Sequence, residues 1–368
     1  MTAAVSIITP TKNRLALLCR TMDSVRQQSF QAWEHIVVDD GSDDGTEEEV
    51  TRRAAADPRV RYIRRTGAKS GANVCRNIGI RESRGDLIVF LDSDDLLRPK
   101  CLERRVELMG RNADLDFAVF RAGVFSKTPG DLTRLYHNHF HGDDLLRFLS
   151  HECIWEITGP IWRKNFLQEI GGFDETLLRM QDLELHVRAI CARGIYICLA
   201  EVDHDVSWLY DFSRTSVRHM KDGGFIEASE TVRKKLRESV LRSGLLTWSR
   251  ERAIIGLGFE NALSWVRLGN LWQALKSWSL CCRNERVPIH LHIGGLLMLA
   301  VFRLTVDVTT PHLDKPTLPV RLVNKWSGWV RFRQEPALVE ADQRVGGAES
   351  SYGGTNNSKS GKRGTTSP

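Results

Sequence analysis

An apolar run, Leu87-Ile88-Val89-Phe90-Leu91, passes directly into Asp92-Ser93-Asp94-Asp95. Three carboxylates in four residues repel one another, and a buried strand has little reason to end in that much negative charge unless something positive completes it. Hard cations such as Mg2+ and Mn2+ meet that need. They take oxygen ligands, commonly one or two carboxylates, with substrate phosphates and water supplying the rest. The cluster therefore reads as a place where a metal bridges protein and a phosphate-bearing ligand. Taken alone, it equally suits an acidic surface turn.

Two other stretches set acids in similar places. In "HIVVDDGSDDGT", Asp39 and Asp40 close an apolar run, where a carboxylate can accept a hydrogen bond from a base N–H or a sugar hydroxyl. The same residues suit a loop in which Ser42, Asp43 or Asp44 caps the following helix. In "QDLELHVRA", Asp182 is followed two residues on by Glu184, and the plain reading is an amphipathic helix with solvated acids.

The elements that must position these acids alternate. "VSIITP", "WEHIVVDDGS", "RVRYIRR" and "DLIVFLD" are β-rich runs. Between them lie helical stretches: "RLALLCRTMDSVRQQ", with Leu15, Leu18, Met22 and Val25 on one face; "GTEEEVTRRAAA", with acids in its first turn; and "GANVCRNIGIRESRG". "RPKCLERRVELMGRN" follows, with Pro99 tolerated in its first turn. Such alternation predicts an α/β layer on a mainly parallel sheet, whose ligands bind beyond the carboxyl ends of the strands. Asp39, Asp40, Asp92, Asp94 and Asp95 all fall at such ends. Further on, "ADLDFAVFRAG" and "IYICLA" read as strands, with "VSWLY" a separate piece, and "DDLLRFLS" as a short helix.

The chain has 368 residues and a net charge of +6, compatible with acidic ligands or an anionic membrane and selecting neither. No finger, helix-turn-helix or RNA-binding signature is visible, so nucleic acid is not an expected partner. Eight cysteines are scattered without a CxxC pair, which argues against a zinc site and points to a reducing, cytoplasmic setting. The N-terminus lacks the pattern of a secretory signal, and the longest apolar stretch, Ile293 to Phe302, falls short of the ~20 residues that span a bilayer.

"VSIITPTKNR", "VVDDGSDDGT", "GANVCRNIGI" and "FLDSDD", in that order and spacing, resemble glycosyltransferase family 2 across roughly residues 3 to 215. The resemblance implies an inverting, nucleotide-sugar-dependent enzyme with the GT-A fold: a Rossmann-like mixed sheet, mainly parallel and flanked by helices. It implies a donor site in which Thr9 and Pro10 lie by the nucleobase, Asp40 meets the uracil N–H with Asp39 before it, and Arg76 and Asn77 lie near the ribose and diphosphate. Asp94 matches the direct ligand of a divalent metal, Mn2+ or Mg2+, and Asp92 lies beside the ribose or the metal's waters. Asp95 gets no role. "GGFDETLLRMQDLEL" is similar to the family's stretch holding the catalytic base, which makes Asp182 that base, although Gln181 departs from the common acid. UDP is the favoured nucleotide, and the acceptor is a glycan, a lipid-linked glycan or a small molecule. Arg214, in "YDFSRTSV", resembles a late loop closing over the diphosphate. The QxxRW motif of processive synthases is absent. His137, His139 and His141 read as a loop near the acceptor cleft rather than a metal site.

The expected organisation is a catalytic domain over 1–220, donor-binding over about 3–115 and acceptor-binding over about 116–220. A helical region over 221–334 and a flexible tail over 335–368 follow, the tail being poor in large apolar side chains. Trp248, Trp265, Trp272, Trp278, Trp326 and Trp329, accompanied by Arg and Lys, suit either a packed subdomain or peripheral contact with the inner face of a membrane. The rival activities are a nucleotidyltransferase, whose Gly-rich basic phosphate loop is missing near the N-terminus, and a non-catalytic nucleotide-sugar-binding protein, against which the retained acids argue.

Overall fold

The computed structural model describes residues 3–132, 134–136, 142–208, 223–305 and 339–340. Strands β1 (Val5–Thr11), β2 (Trp33–Asp39), β3 (Val60–Arg64) and β4 (Leu87–Phe90) are parallel neighbours in the order β3-β2-β1-β4. Helices α1 (Leu15–Arg26), α2 (Thr46–Ala56) and α3 (Ala72–Glu82) make the crossovers. β1, β2 and β4 are buried along their whole length, which is why they read as near-continuous apolar runs rather than alternating ones. Polar residues in these strands pair across the sheet: the Ser6 hydroxyl donates to Glu34 at 2.6 Å, and Thr9 Oγ1 lies 2.9 Å from His35 Nε2.

Beyond β4 the sheet turns antiparallel through β8 (Pro160–Arg163) to β6 (Phe117–Phe125) and β7 (Arg134–Leu135). β9 (Tyr196–Ser207) runs parallel to β6 and pairs antiparallel with the two-residue β5 (Leu96–Leu97). Sequence reading ends a strand at "IYICLA" and leaves "VSWLY" a separate piece. The twelve-residue β9 instead buries Asp203 and His204 completely, and their charges are met by Arg105 and Glu156.

Successive side chains on β1 and β4 point to opposite faces and feed two cores. Ile8, Ile88 and Phe90 join Phe117, Phe148, Trp162 and Leu185 on one side; Ile7, Val89 and Leu91 join Trp33, Leu102 and Ile161 on the other. Helix α3 lies so close to β1 that a Cβ on Gly79 would sit 2.3 Å from Ile8 Cγ2. The remaining helices around the sheet are α4 (Cys101–Arg111), α5 (Asp144–Leu149), α6 (Lys164–Glu169) and α7 (Gln181–Cys191).

The C-terminal helices are α8 (Gly223–Arg242), α9 (Trp248–Arg267), α10 (Leu271–Asn284) and α11 (Ile289–Thr305). Val232, Leu236 and Val240 of α8, with Ile254 and Leu257 of α9, belong to the same core as Leu185 and Val187 of α7, so the helical region is built onto the sheet layer. A separate core around Trp278, Leu299 and Phe302 joins α9, α10 and α11. Gly295 lets α11 approach the Trp278 ring, which donates from Nε1 to the His292 carbonyl at 3.0 Å. Within the expected tail, Val339–Glu340 pairs antiparallel with β7 as β10. The rest of that tail, Trp326, Trp329, Arg214 and the three clustered histidines lie outside the described residues.

Candidate active site

The carboxyl ends of β1, β2 and β4 lie side by side, with Thr11 opposite Asp39 and the Leu91 N–H donating to the Ile8 carbonyl at 3.0 Å. The loops leaving them are laced together. Asn13 N–H donates to Ser42 Oγ, Asp43 N–H to Asn13 Oδ1, and Leu15 N–H to Asp44, each at 2.9 Å. Of the expected capping residues, Asp44 therefore serves two helix starts, since it also accepts from Thr46 N–H at 3.2 Å.

Asp39 is fully buried and accepts from Ser42 N–H, Ser42 Oγ and the Tyr62 hydroxyl at 2.9, 2.6 and 2.8 Å. It organises the loop and presents no surface. Asp40 pairs with Arg65, accepts from Gly71 N–H at 3.0 Å, and stands 3.9 Å from Lys12 Nζ. It keeps some exposure and spare lone pairs, so of the two acids Asp40 is the one a ligand can reach. Pro10 is buried at the end of β1. The Thr9 hydroxyl lies on β1 and turns toward β2. It is spent within the sheet on His35, whose pKa burial lowers to about 3.

Beyond β4 the acids separate by environment. Asp92 Oδ1 accepts from Arg76 Nη2 at 2.7 Å, and Asp94 Oδ2 from Arg14 Nη1 at 3.1 Å. Arg76, on α3, is itself buried, and its Nε and Nη1 have no hydrogen-bond partner among the described residues. Buried guanidinium donors are costly when unmet, which makes this an anion-seeking group. Asn77, one residue on, faces the other way. Its amide holds the Phe173 N–H and C=O at 2.8 Å each and Glu175 at 3.1 Å, so it pins the Gly171–Glu175 turn. Asp95 accepts from Ser207 N–H at 3.0 Å and bonds Thr158 Oγ1 at 3.1 Å. Burial, then Asp94, Asp92 and Glu156, push its pKa well up. Its role is to tie the acidic turn to the end of β9.

Asp182 stands in the first turn of α7, after Met180 in the left-handed region at φ 53°. Its Oδ1 accepts from Leu183 N–H at 2.8 Å, and Cys153 Sγ lies 4.0 Å from Oδ2. Burial raises its pKa; the charge of Arg76 opposes the rise and that of Asp92 adds to it. Asp182 thus shares one electrostatic neighbourhood with Arg76 and Asp92, though they lie 106 and 90 residues before it in sequence. Tyr136 belongs to the same neighbourhood: burial raises its pKa, and Cys153, Asp182, Glu156 and Asp95 add to the shift. Glu184 does not share this site. It forks onto Arg188 at 2.8 Å, and Arg188 holds the Gly172 carbonyl at 2.7 Å.

A buried charge network supports the acidic turn from behind. Arg105 and Asp203 pair through two bonds, of 2.7 and 2.8 Å, and Arg105 Nη1 donates to the Thr158 carbonyl at 2.8 Å. His204 bridges Asp203 at 2.7 Å and Glu156 at 2.6 Å, while Glu156 also accepts from Gly159 N–H at 2.9 Å. Arg14, Tyr136, Cys153, Glu156 and Thr158 escape sequence reasoning; of these only Arg14, a cation just past the first strand, carried a local signal.

Among the described residues no group of three or more His, Cys, Asp or Glu is arranged to hold a metal ion. The pair Asp92 and Asp94 still fits Mg2+ or Mn2+ by donor chemistry, because such ions take one or two carboxylates and complete their shell with substrate phosphate and water.

The sequence profile described as "Glycosyl transferase family 2" matches residues 6–161. A protein of Bacillus subtilis named as a putative teichuronic acid biosynthesis glycosyltransferase, TuaG, is 35% identical over 205 residues, covering 54% of this chain and 77% of that protein. A Campylobacter jejuni GalNAc(5)-diNAcBac-PP-undecaprenol β-1,3-glucosyltransferase is 38% identical over 92 residues, 25% of this chain and 30% of that protein. Among solved structures, S. aureus TarS 1–349 in complex with UDP-GlcNAc superimposes with a TM-score of 0.57 at 16% identity, covering 85% of this chain and 98% of that one. The shared architecture is the GT-A fold. With that fold, the profile and the relatives in agreement, the chain belongs to glycosyltransferase family 2 and is a glycosyltransferase.

Proposed function

We propose that the protein transfers a sugar from a nucleoside-diphosphate sugar, UDP being the favoured carrier, to an acceptor hydroxyl with inversion at the anomeric carbon. The acceptor hydroxyl enters opposite the nucleotide, and Asp182 takes its proton as general base. A carboxylate whose pKa is raised by burial suits that work better than an ordinary surface acid, because it holds the proton more strongly. Arg76 turns its unmet donors to the donor diphosphate, and Asp92 lies beside the ribose. Asp40 and the Pro10 edge hold the base. Asp39, Thr9 and Asn77 act one step back, fixing the loops that carry these groups. Asp94, with Asp92, would hold a divalent metal, which when bound supplies Lewis-acid stabilisation of charge on the leaving diphosphate. A single displacement needs no covalent intermediate, so no second carboxylate need flank the anomeric carbon.

The observation that carries this reading is the convergence of Asp182, Arg76 and Asp92 from three separate elements. The TarS complex with UDP-GlcNAc and the undecaprenol-linked substrate in the Campylobacter relative's name support a nucleotide-sugar donor and a glycan or lipid-linked acceptor. The setting that follows is bacterial cell-surface polysaccharide or glycolipid synthesis on the cytoplasmic side. Among the described residues no helix is long and apolar enough to cross a membrane. The test is nucleotide release from a panel of UDP-, GDP- and dTDP-sugars with Mn2+, Mg2+ or chelator. Metal-dependent release from a UDP-sugar, lost in Asp94→Ala, is expected. Undiminished release in chelator would remove the metal from the mechanism.

A further inference from the structure

The last two helices of the described chain present an exposed apolar face that no described element covers. On α11, Ile289, Ile293, Leu297 and Leu304 are 68%, 50%, 59% and 86% exposed. Spacings of four, four and seven residues put them on one stripe, about 22 Å long at 1.5 Å per residue. The opposite side of the same helix, at Leu299 and Phe302, is buried against α9 and α10, so the stripe faces outward. On α10, Trp272, Lys276 and Leu280 follow the same spacing and are exposed, Trp272 to 73%. Of the tryptophans singled out in the sequence, Trp278 is buried and Trp265 partly so, and the exposed apolar surface is chiefly Ile and Leu.

Charge decides what covers this face. Residues 271–305 carry Lys276, Arg283, Arg286 and Arg303 against one acid, Glu285. Glu285 is buried and paired with Arg233 and Arg237, so the surface of the hairpin is cationic. A second copy docking face to face by a two-fold axis would set these cations against themselves. The following segment of the chain, 306–338, also has excess positive charge, with Lys315, Arg321, Lys325, Arg331 and Arg333 against Asp307, Asp314 and Glu335. An anionic lipid surface complements both the charge and the apolar stripe.

We propose that the outer face of α10 and α11 lies in the plane of an anionic membrane, with Ile289, Ile293, Leu297 and Leu304 entering the acyl boundary and Lys276 and Arg283 meeting lipid headgroups. This goes beyond the transfer chemistry and does not rest on it, since vesicle binding and nucleotide release are read separately. The test is co-sedimentation of the full chain with vesicles of phosphatidylglycerol and phosphatidylcholine, against phosphatidylcholine alone, at low and high salt. Binding to the anionic vesicles only, weakened by salt, is expected. Ile293→Glu with Leu297→Glu should lower the partition coefficient at least tenfold, roughly, for two apolar contacts replaced by charge. Lys276→Glu with Arg283→Glu should lower it by roughly fivefold per cation removed. All four positions are exposed, so unfolding temperature and nucleotide release should stay at wild-type values. Absence of lipid-dependent sedimentation, or binding that both variants leave intact, overturns the proposal. So does a concentration-dependent dimer that the same variants dissolve, which would give the face to a second copy.

Discussion

Arg105 offers the sharpest test of how the acidic turn is held. Its side chain has no solvent exposure, and it spends its donors on Asp203 and on the Thr158 carbonyl. Arg105→Met keeps much of the volume and removes the charge and every one of these bonds. Breaking a buried pair by deleting one partner costs about 3–5 kcal/mol, because the other charge stays behind. Here Asp203 keeps His204, which places the expectation near the lower end, about 3 kcal/mol. The freed Thr158 carbonyl also loosens the segment that bonds Asp95, so the turn holding Asp92 and Asp94 should lose donor affinity as well as stability. Urea unfolding followed by circular dichroism gives the first quantity, and isothermal titration of the nucleotide gives the second. A loss under about 1 kcal/mol, the range of an exposed pair, would refute the claim that this network supports the fold. Unchanged nucleotide affinity in a folded variant would refute its link to the turn.

The same network predicts an alkaline transition. Burial opposes the charge on His204, but Glu156 and Asp203 outweigh it and raise its pKa from 6.5 to about 9. That stabilisation is complete below the unfolded pKa and disappears as pH rises through about 9, with a total on the order of 3 kcal/mol. Urea midpoints should therefore fall between about pH 7 and pH 10, and His204→Gln should flatten the fall. Gly79→Ala forces a methyl against the fully buried Ile8 and should cost about 1–3 kcal/mol despite alanine's better helix propensity, read as a lower urea midpoint. A neutral outcome would mean that α3, which carries Arg76, does not depend on its close approach to β1.

Much of this site was legible because its pieces are local. An apolar run followed by acids marks a strand end whatever else surrounds it, and the parallel order of β2, β1 and β4 brings two such ends to either side of the end of β1. What the sequence concealed depends on side chains meeting across long separations. Asp39 and Asp40 are adjacent and alike on paper, yet Tyr62 and Ser42 consume the first, while the second keeps an accessible edge. Asp95, to which the sequence assigns no role, proves to be a buried tie to Thr158 and Ser207. Asn77 follows Arg76 in the chain, but on a helix successive side chains diverge, and it anchors a turn near residue 173. The polarity of "EVDHDV" hid a strand because burial of Asp203 and His204 is affordable only with Arg105 and Glu156, which lie elsewhere in the chain.

Asp182→Asn tests the proposed chemistry most directly. The amide keeps the shape of the side chain and an oxygen for the Leu183 N–H, but it cannot take a proton at neutral pH. With a donor that the wild type turns over, single-turnover transfer should fall by about 10²–10⁴-fold, the usual worth of a general base, while nucleotide-sugar affinity stays near the wild-type value. Transfer at the wild-type rate by a variant that binds donor normally would contradict Asp182 as the base.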